Sequence, residues 1–348
     1  MSEIKVRING RGNAWPVILG QEHPFYDRSN PEDLANASCS ILKSKTDDPT
    51  KEEIEWDLMI DAGHGAVQYL LKNCNRIPEA VFVTHSHIDH TLGLDWIVQS
   101  YFKQFKKRYP VYATIFCWEM VKNTFPQLID LVEFKELIPY QKRVVSEVQD
   151  VIITPFPVYH GKSAVGASMF LFQIEEKQKK IKILFTGDVL CPLLRDTDYS
   201  KLEGIDLLVT DANNRYPYPK SNHWSLLQGL NNQKSDYLIE FQEQSNIATF
   251  LYPHLKENIS DNYGRCFDYF LNRPYSSDVF CFTIESFVKK IRPDKIVLLH
   301  YSGAEDEKYY NQHIFNAQKL TRWSKQSFKT LGLYSRLIVP YVNQHVYL

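Results

Sequence analysis

The chain has 348 residues, of which 44% are hydrophobic and 23% are charged, a balance that is typical of a soluble globular protein with a substantial core. Its 40 basic and 41 acidic side chains give a net charge of −1, which argues against the extended basic surface of a bulk nucleic-acid-binding protein. The six cysteines are far apart and form no C-x-x-C pair, which excludes a zinc knuckle and a thioredoxin-type motif.

Five short apolar runs are the clearest local pattern, and each ends abruptly at a residue that can carry chemistry. Short, β-branched runs of this kind predict buried strands. Because loops at one edge of a sheet commonly hold active-site residues, we expect these strand ends to meet in one site. The runs and their ends are AVFVT at His85, VIITPFPVY at His160, IKILFT at Gly187 and Asp188, IDLLVT at Asp211, and KIVLL at His300.

A helix is predicted soon after the first run, because apolar residues recur there with helical spacing. The segment VTHSHIDHTLGL, Val83–Leu94, therefore joins a strand to a helix. A second helix is predicted over residues 309–330, followed by one terminal strand in RLIVPYVNQHVYL. The apolar stripe of the first helix consists of Leu94, Ile97, Val98, Tyr101 and Phe105.

The loop before this helix carries the pattern H-x-H-x-D-H. Imidazole and carboxylate groups are the usual protein ligands of zinc, manganese and iron. His85 and His87 alternate along an extended segment and can face one ion, whereas Asp89 and His90, a turn later, can face a neighbouring ion. Clustering these groups without cations would be costly. The motif therefore predicts a site for two metal ions.

Three of the strand ends can supply the ligands that the motif lacks. His160 and His300 can complete the two sets, and Asp188 can bridge the two ions. The result is seven ligands from four segments of the chain, with an open position between the ions.

The succession of H-x-H-x-D-H, a distal histidine, TGD and LLHYS resembles the metallo-β-lactamase superfamily over nearly the whole chain. The resemblance implies an α/β fold, a four-layer αββα sandwich of two mixed β-sheets flanked by helices, in a single domain over residues 1–348. Asp61, in MIDAGHG, is expected to accept a hydrogen bond from a ligand histidine. The implied ligand sets are His85, His87 and His160 for the first ion and Asp89, His90 and His300 for the second, with Asp188 as the bridge.

Finer motifs resemble the ribonuclease Z-like branch, which includes phosphodiesterases that act on RNA and on cyclic nucleotides. They are NGRGNAWP at Asn9–Pro16, MIDAGHG, TDANNRYPYPKSNHWS and LLHYS. The resemblance implies that His223 is a proton donor or phosphate contact and that Asp211 orients it. The intervening loop offers side chains that can stack on a base and meet a phosphate. These are Arg215, Tyr216 and Lys220.

The predicted activity is hydrolysis of a phosphodiester by a hydroxide that bridges two metal ions. Two ions about 3.5–4 Å apart can bind the attacking and leaving oxygens and lower the pKa of bound water to about 7. Asp89 is predicted to be both a metal ligand and a catalytic residue. His223 is predicted to supply a proton to the leaving alkoxide. Zinc is the expected metal, and manganese or iron fit the same ligands.

Two departures from ribonuclease Z favour a small phosphodiester or nucleotide over folded RNA. The chain lacks a Gly/Pro-rich arm for gripping transfer RNA, and it carries an aromatic-rich insertion over residues 228–290, interpreted as a lid or a dimer contact. The resembling branch implies a homodimer. We expect a cytoplasmic protein with no membrane partner, because there is no apolar leader and no run near about 18 apolar residues.

Other functions remain open. The same metals can hydrolyse a thioester, lactone or other acyl bond by polarising its carbonyl, and FTGDVL is equally compatible with thioesterases of the superfamily. Accessory biosynthetic members of the superfamily also exist. Di-iron redox chemistry is disfavoured, because the flavodiiron relatives have Glu where this chain has His87.

Overall fold

The structure is a computed structural model. It describes residues 3–14, 35–45, 53–160, 162–176, 179–189, 191–212, 284–300, 322, 325–326, 329 and 336–348. The strands are β1 Glu3–Gly10, β2 Ser38–Ser44, β3 Ile54–Ile60, β4 Ala80–Phe82, β5 Tyr109–Ala113, β6 Val132–Glu136, β7 Arg143–Val144, β8 Val151–Tyr159, β9 Ser168–Glu176, β10 Lys179–Phe185, β11 Cys191–Pro192, β12 Leu207–Asp211, β13 Lys295–Leu299, β14 Arg336–Ile338 and β15 His345–Tyr347. The helices are α1 Ala66–Asn73, α2 Ile88–Thr91, α3 Leu94–Phe105, α4 Ile115–Thr124, α5 Asp196–Leu202 and α6 Ile284–Ile291, with 3₁₀ turns at Pro126–Leu128 and Lys162–Ala164.

The described strands form two mixed sheets. The first has seven strands in the order β15-β1-β2-β3-β4-β5-β6, antiparallel from β15 to β3 and parallel from β3 to β6. The second has eight, in the order β11-β8-β9-β10-β12-β13-β14 with β7 also paired to β8. It is antiparallel as far as β10 and parallel from β10 to β14. Each sheet therefore has a parallel half whose carboxyl ends share one edge.

Strand alternation places each sheet between two apolar layers, because successive side chains point to opposite faces. In the first sheet, Leu58 and Ile60 pack between the sheets, whereas Met59 packs against α1, α3 and α4. In the second sheet, Phe172 faces the other sheet and Leu171 packs against α5 and α6. The order of layers is helices, sheet, sheet, helices, so the predicted αββα sandwich is confirmed.

An aromatic cluster joins the two sheets beneath the edge where the loops carry chemistry. The ring of Phe82, at the end of β4, stacks on Tyr112 at 4.5 Å and meets Phe172 edge-on at 5.0 Å. Phe172 in turn meets Phe185, at the end of β10, at 5.8 Å. Each such pair contributes about 0.5–1.5 kcal/mol beyond its buried area. These contacts hold β4 and β10, the strands that precede the loops to His85 and Asp188, in a fixed position relative to each other.

The structure confirms the five predicted strands as β4, β8, β10, β12 and β13, and the predicted helix as α3. The predicted apolar stripe of α3 is wrong at its last residue, because Phe105 is 48% exposed. The helix ends there, and the next residue, Lys106, has a φ of 55°. The prediction of a single terminal strand is also wrong. The segment is divided into β14 and β15, because Pro340 and the turn after it separate them, and the two strands belong to different sheets.

Several sequence predictions fall on other parts of the chain. The helix predicted over residues 309–330 and the insertion predicted over 228–290 lie almost entirely outside the described residues. Among the residues that are described, no helix is both long enough and apolar enough to cross a membrane.

Candidate metal centre

The H-x-H-x-D-H segment begins in extended backbone and ends in a helical turn. The Val83 amide donates to the Tyr112 carbonyl at 2.8 Å, which extends the sheet past the end of β4. His87 is still extended, with φ −60° and ψ 149°, and α2 begins at the next residue. The change from extended to helical backbone turns Asp89 and His90 away from the direction of the two preceding histidines. One short segment can therefore face two metal positions.

The structure brings together all seven residues predicted as metal ligands, in two groups. Within each group, one ligand atom from every member lies within 4.8 Å of the others. The first group is entirely imidazole, and the second mixes imidazoles with carboxylates. The groups are His85, His87 and His160, and Asp89, His90, Asp188 and His300.

Asp188 belongs to the second group and also approaches the first. Its Oδ2 atom is 3.5 Å from Nε2 of His160 in the first group and 3.2 Å from Nε2 of His300 in the second. Its Oδ1 atom is 3.5 Å from Nε2 of His90. One carboxylate thus has ligand atoms of both groups within reach of its two oxygens, which is the position predicted for a bridging ligand.

Gly187 makes this approach of Asp188 possible. Its φ is 58°, a left-handed conformation that glycine adopts without steric cost. A Cβ atom at this position would lie 2.8 Å from both Cβ and Oγ1 of Thr84. The TGD segment therefore packs directly against the residue that precedes the first ligand histidine.

Thr84 determines which nitrogen of His85 faces the first metal position. Its hydroxyl donates to Oδ2 of Asp61 at 2.7 Å, and its Oγ1 lies 3.1 Å from Nδ1 of His85. Because one hydroxyl donates only one hydrogen bond, Oγ1 must accept from His85 Nδ1–H. The proton of His85 then resides on Nδ1, and Nε2 is left unprotonated and able to bind a metal.

Asp61 and Asp211 hold the ligand histidines of the second group. Oδ2 of Asp61 lies 2.8 Å from Nδ1 of His90, so the ligand atom of His90 is Nε2. Oδ1 of Asp211 lies 3.5 Å from Nδ1 of His300. A carboxylate behind a metal-ligand histidine fixes its tautomer and strengthens it as a ligand. The same residues, with Asp188, line one cavity between the two sheets.

The electrostatics of the site favour bound cations. Burial raises the pKa of Asp89, but His90 and His300 outweigh it and lower that pKa to about 2. Burial also raises the pKa of Asp188, and the charges on His300 and His90 hold it well below its ordinary value. Burial, reinforced by the charge on His90, lowers the pKa of His85 well below its ordinary value, so its imidazole is neutral. The buried site therefore combines ionised carboxylates with a neutral nitrogen ligand.

The second group shows the same demand for positive charge. Burial lowers the pKa of His90 and His300, but the carboxylate of Asp188 outweighs burial and raises both pKa values well above their ordinary range. Nε2 of His90 is buried without a hydrogen-bond partner among the described residues, yet it lies 3.5 Å from an oxygen of Asp89 and of Asp188. Convergence of nitrogen and carboxylate oxygens on one point suits a divalent ion, so these residues fit a metal of the zinc, manganese or iron type.

The comparison with protein families agrees with this geometry. The model of a beta-lactamase superfamily domain matches residues 57–232, just over half of the chain. The chain belongs to the metallo-β-lactamase superfamily. The matched range includes the motif loop, His160, Asp188 and Asp211, whereas His300 lies beyond it.

Three solved structures have a fold similar to that of this chain. A diphosphatase of the PhnP family is 16% identical, with a TM-score of 0.56 over 99% of this chain and 97% of that one. The metallo-beta-lactamase fold protein YhfI from Bacillus subtilis is 12% identical, with a TM-score of 0.56 over 100% of both chains. The short form of human tRNase Z is 15% identical, with a TM-score of 0.50 over 99% and 98%. No curated protein sequence matches the chain.

Some predicted site residues lie outside the described residues, namely His223, Arg215, Tyr216 and Lys220. Asp211 was predicted to orient His223, and the structure places it beside His300. Sequence reasoning missed two hydroxyl side chains that contact ligand histidines, Thr84 and Ser163. Their signals in the sequence are faint. Thr84 directly precedes the motif, and Ser163 follows His160 by three residues.

Proposed function

We propose that this chain is a metal-dependent phosphodiesterase that acts on a small phosphodiester or nucleotide. The observation that carries the proposal is the position of Asp188 between a three-histidine group and a group formed with Asp89, His90 and His300. Two divalent ions would be held by these two groups, with the Asp188 carboxylate within reach of both. Such ions act as Lewis acids on a phosphoryl oxygen and make water a stronger nucleophile near neutral pH.

The chain itself supplies fixed positions for the ligands. Thr84 and Asp61 direct Nε2 of His85 and of His90 toward the site, so neither imidazole has to reorient during the reaction. Asp89 is ionised at neutral pH because its pKa is about 2. It can therefore accept a hydrogen bond from an attacking water while it serves as a ligand.

Two arguments favour a phosphodiester over an acyl substrate. The PhnP-family diphosphatase and human tRNase Z share the fold over nearly their full lengths, and their names describe one as a diphosphatase and the other as a tRNase. The segment that begins at Asp211 resembles the ribonuclease Z-like branch, so His223 is proposed as the donor of a proton to the leaving alkoxide. The nearby loop side chains are proposed to contact the phosphate and the base. These are Arg215, Tyr216 and Lys220.

The test is hydrolysis of bis(p-nitrophenyl) phosphate by protein loaded separately with zinc and with manganese. Asp188→Asn should lower kcat by at least about 100-fold, because it removes the charge between the two ions. Asp198→Asn is the matched control, since Asp198 is also buried but its carboxylate bonds to Arg195, which precedes α5, and to Lys201 on α5. It should retain activity at 25 °C.

The outcome separates the phosphodiesterase from the acyl-hydrolase alternative. Loaded protein that is inert on the phosphodiester but hydrolyses a thioester or a lactone would overturn the phosphodiesterase assignment and keep the hydrolase. Loaded protein that is inert on both classes of substrate would favour an accessory, non-hydrolytic role.

The role of His223 is tested by changing the leaving group. An alkoxide needs a proton as it departs, whereas p-nitrophenolate leaves without one. His223→Ala should therefore lower kcat about 100-fold or more on a 2′,3′-cyclic nucleotide and much less on bis(p-nitrophenyl) phosphate. Equal losses on the two substrates would contradict a proton-donating role.

A further inference from the structure

The loop that follows His160 lies directly against the H-x-H segment. Nε2 of His87 is 2.8 Å from Oγ of Ser163. The Ser86 hydroxyl donates to the Ser163 carbonyl at 3.3 Å. At the far end of the same loop, the Ser168 amide donates to the Thr84 carbonyl at 2.9 Å. The loop over residues 162–168 is thereby bonded to the segment that carries the first two ligand histidines.

The same loop is held from its other side by the residues at the start of α4. The Thr114 hydroxyl donates to the Gly166 carbonyl at 2.7 Å. Gly166 has a φ of 80°, and a Cβ atom there would lie 2.6 Å from Thr114 Oγ1 and from Phe116 Cβ. The Ala167 amide donates to the Ala164 carbonyl at 3.1 Å, which closes the turn after Ser163. Ser163 is therefore anchored on two sides although its side chain is exposed.

The orientation of His87 follows from its neighbour. Nδ1 of His87 lies 3.1 Å from Nε2 of His85, which is the atom that Thr84 leaves unprotonated. Without an ion, one of these two nitrogens carries the proton of the contact, but an ion bound by both residues needs both nitrogens unprotonated. In the metal-bound form the ligand atom of His87 would therefore be Nδ1. Its proton then belongs on Nε2, the atom that faces Ser163.

We propose that Ser163 is a positioning residue that accepts a hydrogen bond from His87 Nε2–H and so fixes Nδ1 as the ligand atom for the first ion. The inference rests on the two-metal site of the proposed function. Partners of this kind behind a ligand histidine typically change metal affinity by 10–100-fold. Ser163 thus contacts His87 in the same way that Thr84 contacts His85 and Asp61 contacts His90.

The test measures zinc affinity by competition with a chromophoric chelator. Ser163→Ala should weaken binding of the first ion by about 10–100-fold and leave the second within about threefold. Ser163→Thr keeps the hydroxyl and should restore the parent affinity. A His300→Ala background removes a ligand of the second group only, so the same comparison there reports on the first ion alone.

Histidine ¹⁵N chemical shifts provide a readout that a purely structural role would not move. Zinc-loaded parent protein should show His87 protonated at Nε2 with Nδ1 bound to the metal, and Ser163→Ala should populate the other tautomer as well. Ser200→Ala is the matched control, because Ser200 is also exposed and donates to the Thr197 carbonyl within its own helix. It should change neither readout.

Either of two results would overturn the proposal. One is parent-like zinc affinity in Ser163→Ala, and the other is an equal loss in Ser163→Ala and Ser163→Thr, since the hydroxyl would then not be the determinant. Both readouts are independent of turnover. A failure here is thus distinguishable from a failure of the phosphodiesterase assignment, which leaves metal binding intact.

Discussion

Thr84 illustrates how a residue that binds no metal can determine the form of the site. Its hydroxyl contacts His85 on one side and Asp61, 23 positions earlier in the chain, on the other. Asp61 also contacts His90, so one carboxylate acts on a histidine of each ligand group. Asp61 and the seven ligands were predicted from motif and strand-end positions. Thr84 was not predicted, because a threonine before a histidine does not indicate a role in the site until the fold places Asp61 beside it.

Gly187→Ala tests the close packing between the TGD segment and Thr84. An added Cβ would meet Thr84 at 2.8 Å, and Thr84 cannot move away without loss of its bonds to Asp61 and His85. We expect zinc affinity to fall at least about tenfold, the scale of a lost outer partner. Chelator competition measures this change.

Gly204→Ala is the control for the backbone alone. Gly204 has a similar φ of 62°, but apart from its chain neighbours no atom of the described residues lies within 4 Å of an added Cβ. It should cost about 1–2 kcal/mol of folding free energy from the left-handed backbone and leave zinc affinity unchanged. Equal zinc affinities in the two variants would contradict the proposed packing role of Gly187.

At the scale of elements, the short apolar runs were sufficient to locate the site. Each of β4, β8, β10 and β13 is followed within three residues by a residue of the ligand groups, because parallel strands and their neighbours end at a common edge. The local sequence pattern did not predict which strands pair when they are far apart in the chain. β15 pairs with β1 at the opposite end of the chain, and no local signal distinguishes that strand from β14. Ser163 was missed for a related reason, because its contact with His87 joins two loops.

Helix α5 carries a buried carboxylate whose contribution to stability depends on pH. Asp198 accepts from Arg195 Nε at 2.6 Å and from Lys201 Nζ at 2.7 Å. Burial raises the pKa of Asp198, but these two partners outweigh it and lower that pKa below its ordinary value. The stabilisation is therefore complete above the unfolded-state pKa of about 3.9 and is lost as pH falls through the folded-state pKa.

Asp198→Asn should lower the free energy of unfolding at pH 7 by about 1–2 kcal/mol, a value reduced for the partial exposure of its two partners. The difference from the parent should narrow steadily below about pH 4, as the parent carboxylate becomes protonated. Urea unfolding of both proteins at several pH values measures it. A difference that stays constant between pH 7 and pH 3 would show that the ion pairs do not contribute.

At the scale of the whole molecule, the two sheets contribute different parts of one site. The first sheet carries the H-x-H-x-D-H loop and Asp61, whereas the second carries His160, Asp188 and His300. Metal ions bound between them should therefore act as a link between the two halves of the sandwich. The overall fold was predictable because the motifs resemble a known superfamily, and composition alone would not have distinguished it from other α/β folds.

Removal of metal should consequently destabilise the entire fold. A ligand that binds only the folded state stabilises it by about 4 kcal/mol at a free concentration of a thousand times Kd. We expect the Tm of zinc-loaded protein to fall by several degrees on chelation and to recover when zinc is restored. Calorimetry or circular dichroism measures the shift. Asp188→Asn should show a smaller shift, and an unchanged Tm in the parent would contradict a metal link between the sheets.

The most direct test of the two-metal site is the metal content of the folded protein. Protein that has been stripped with chelator, reloaded with zinc and desalted should contain two ions per chain by mass spectrometry of the metal. Asp188→Asn, treated alike, should retain fewer than two because the carboxylate between the groups has lost its charge. A parent stoichiometry of one ion or none would contradict the two-metal site on which the proposed hydrolysis depends.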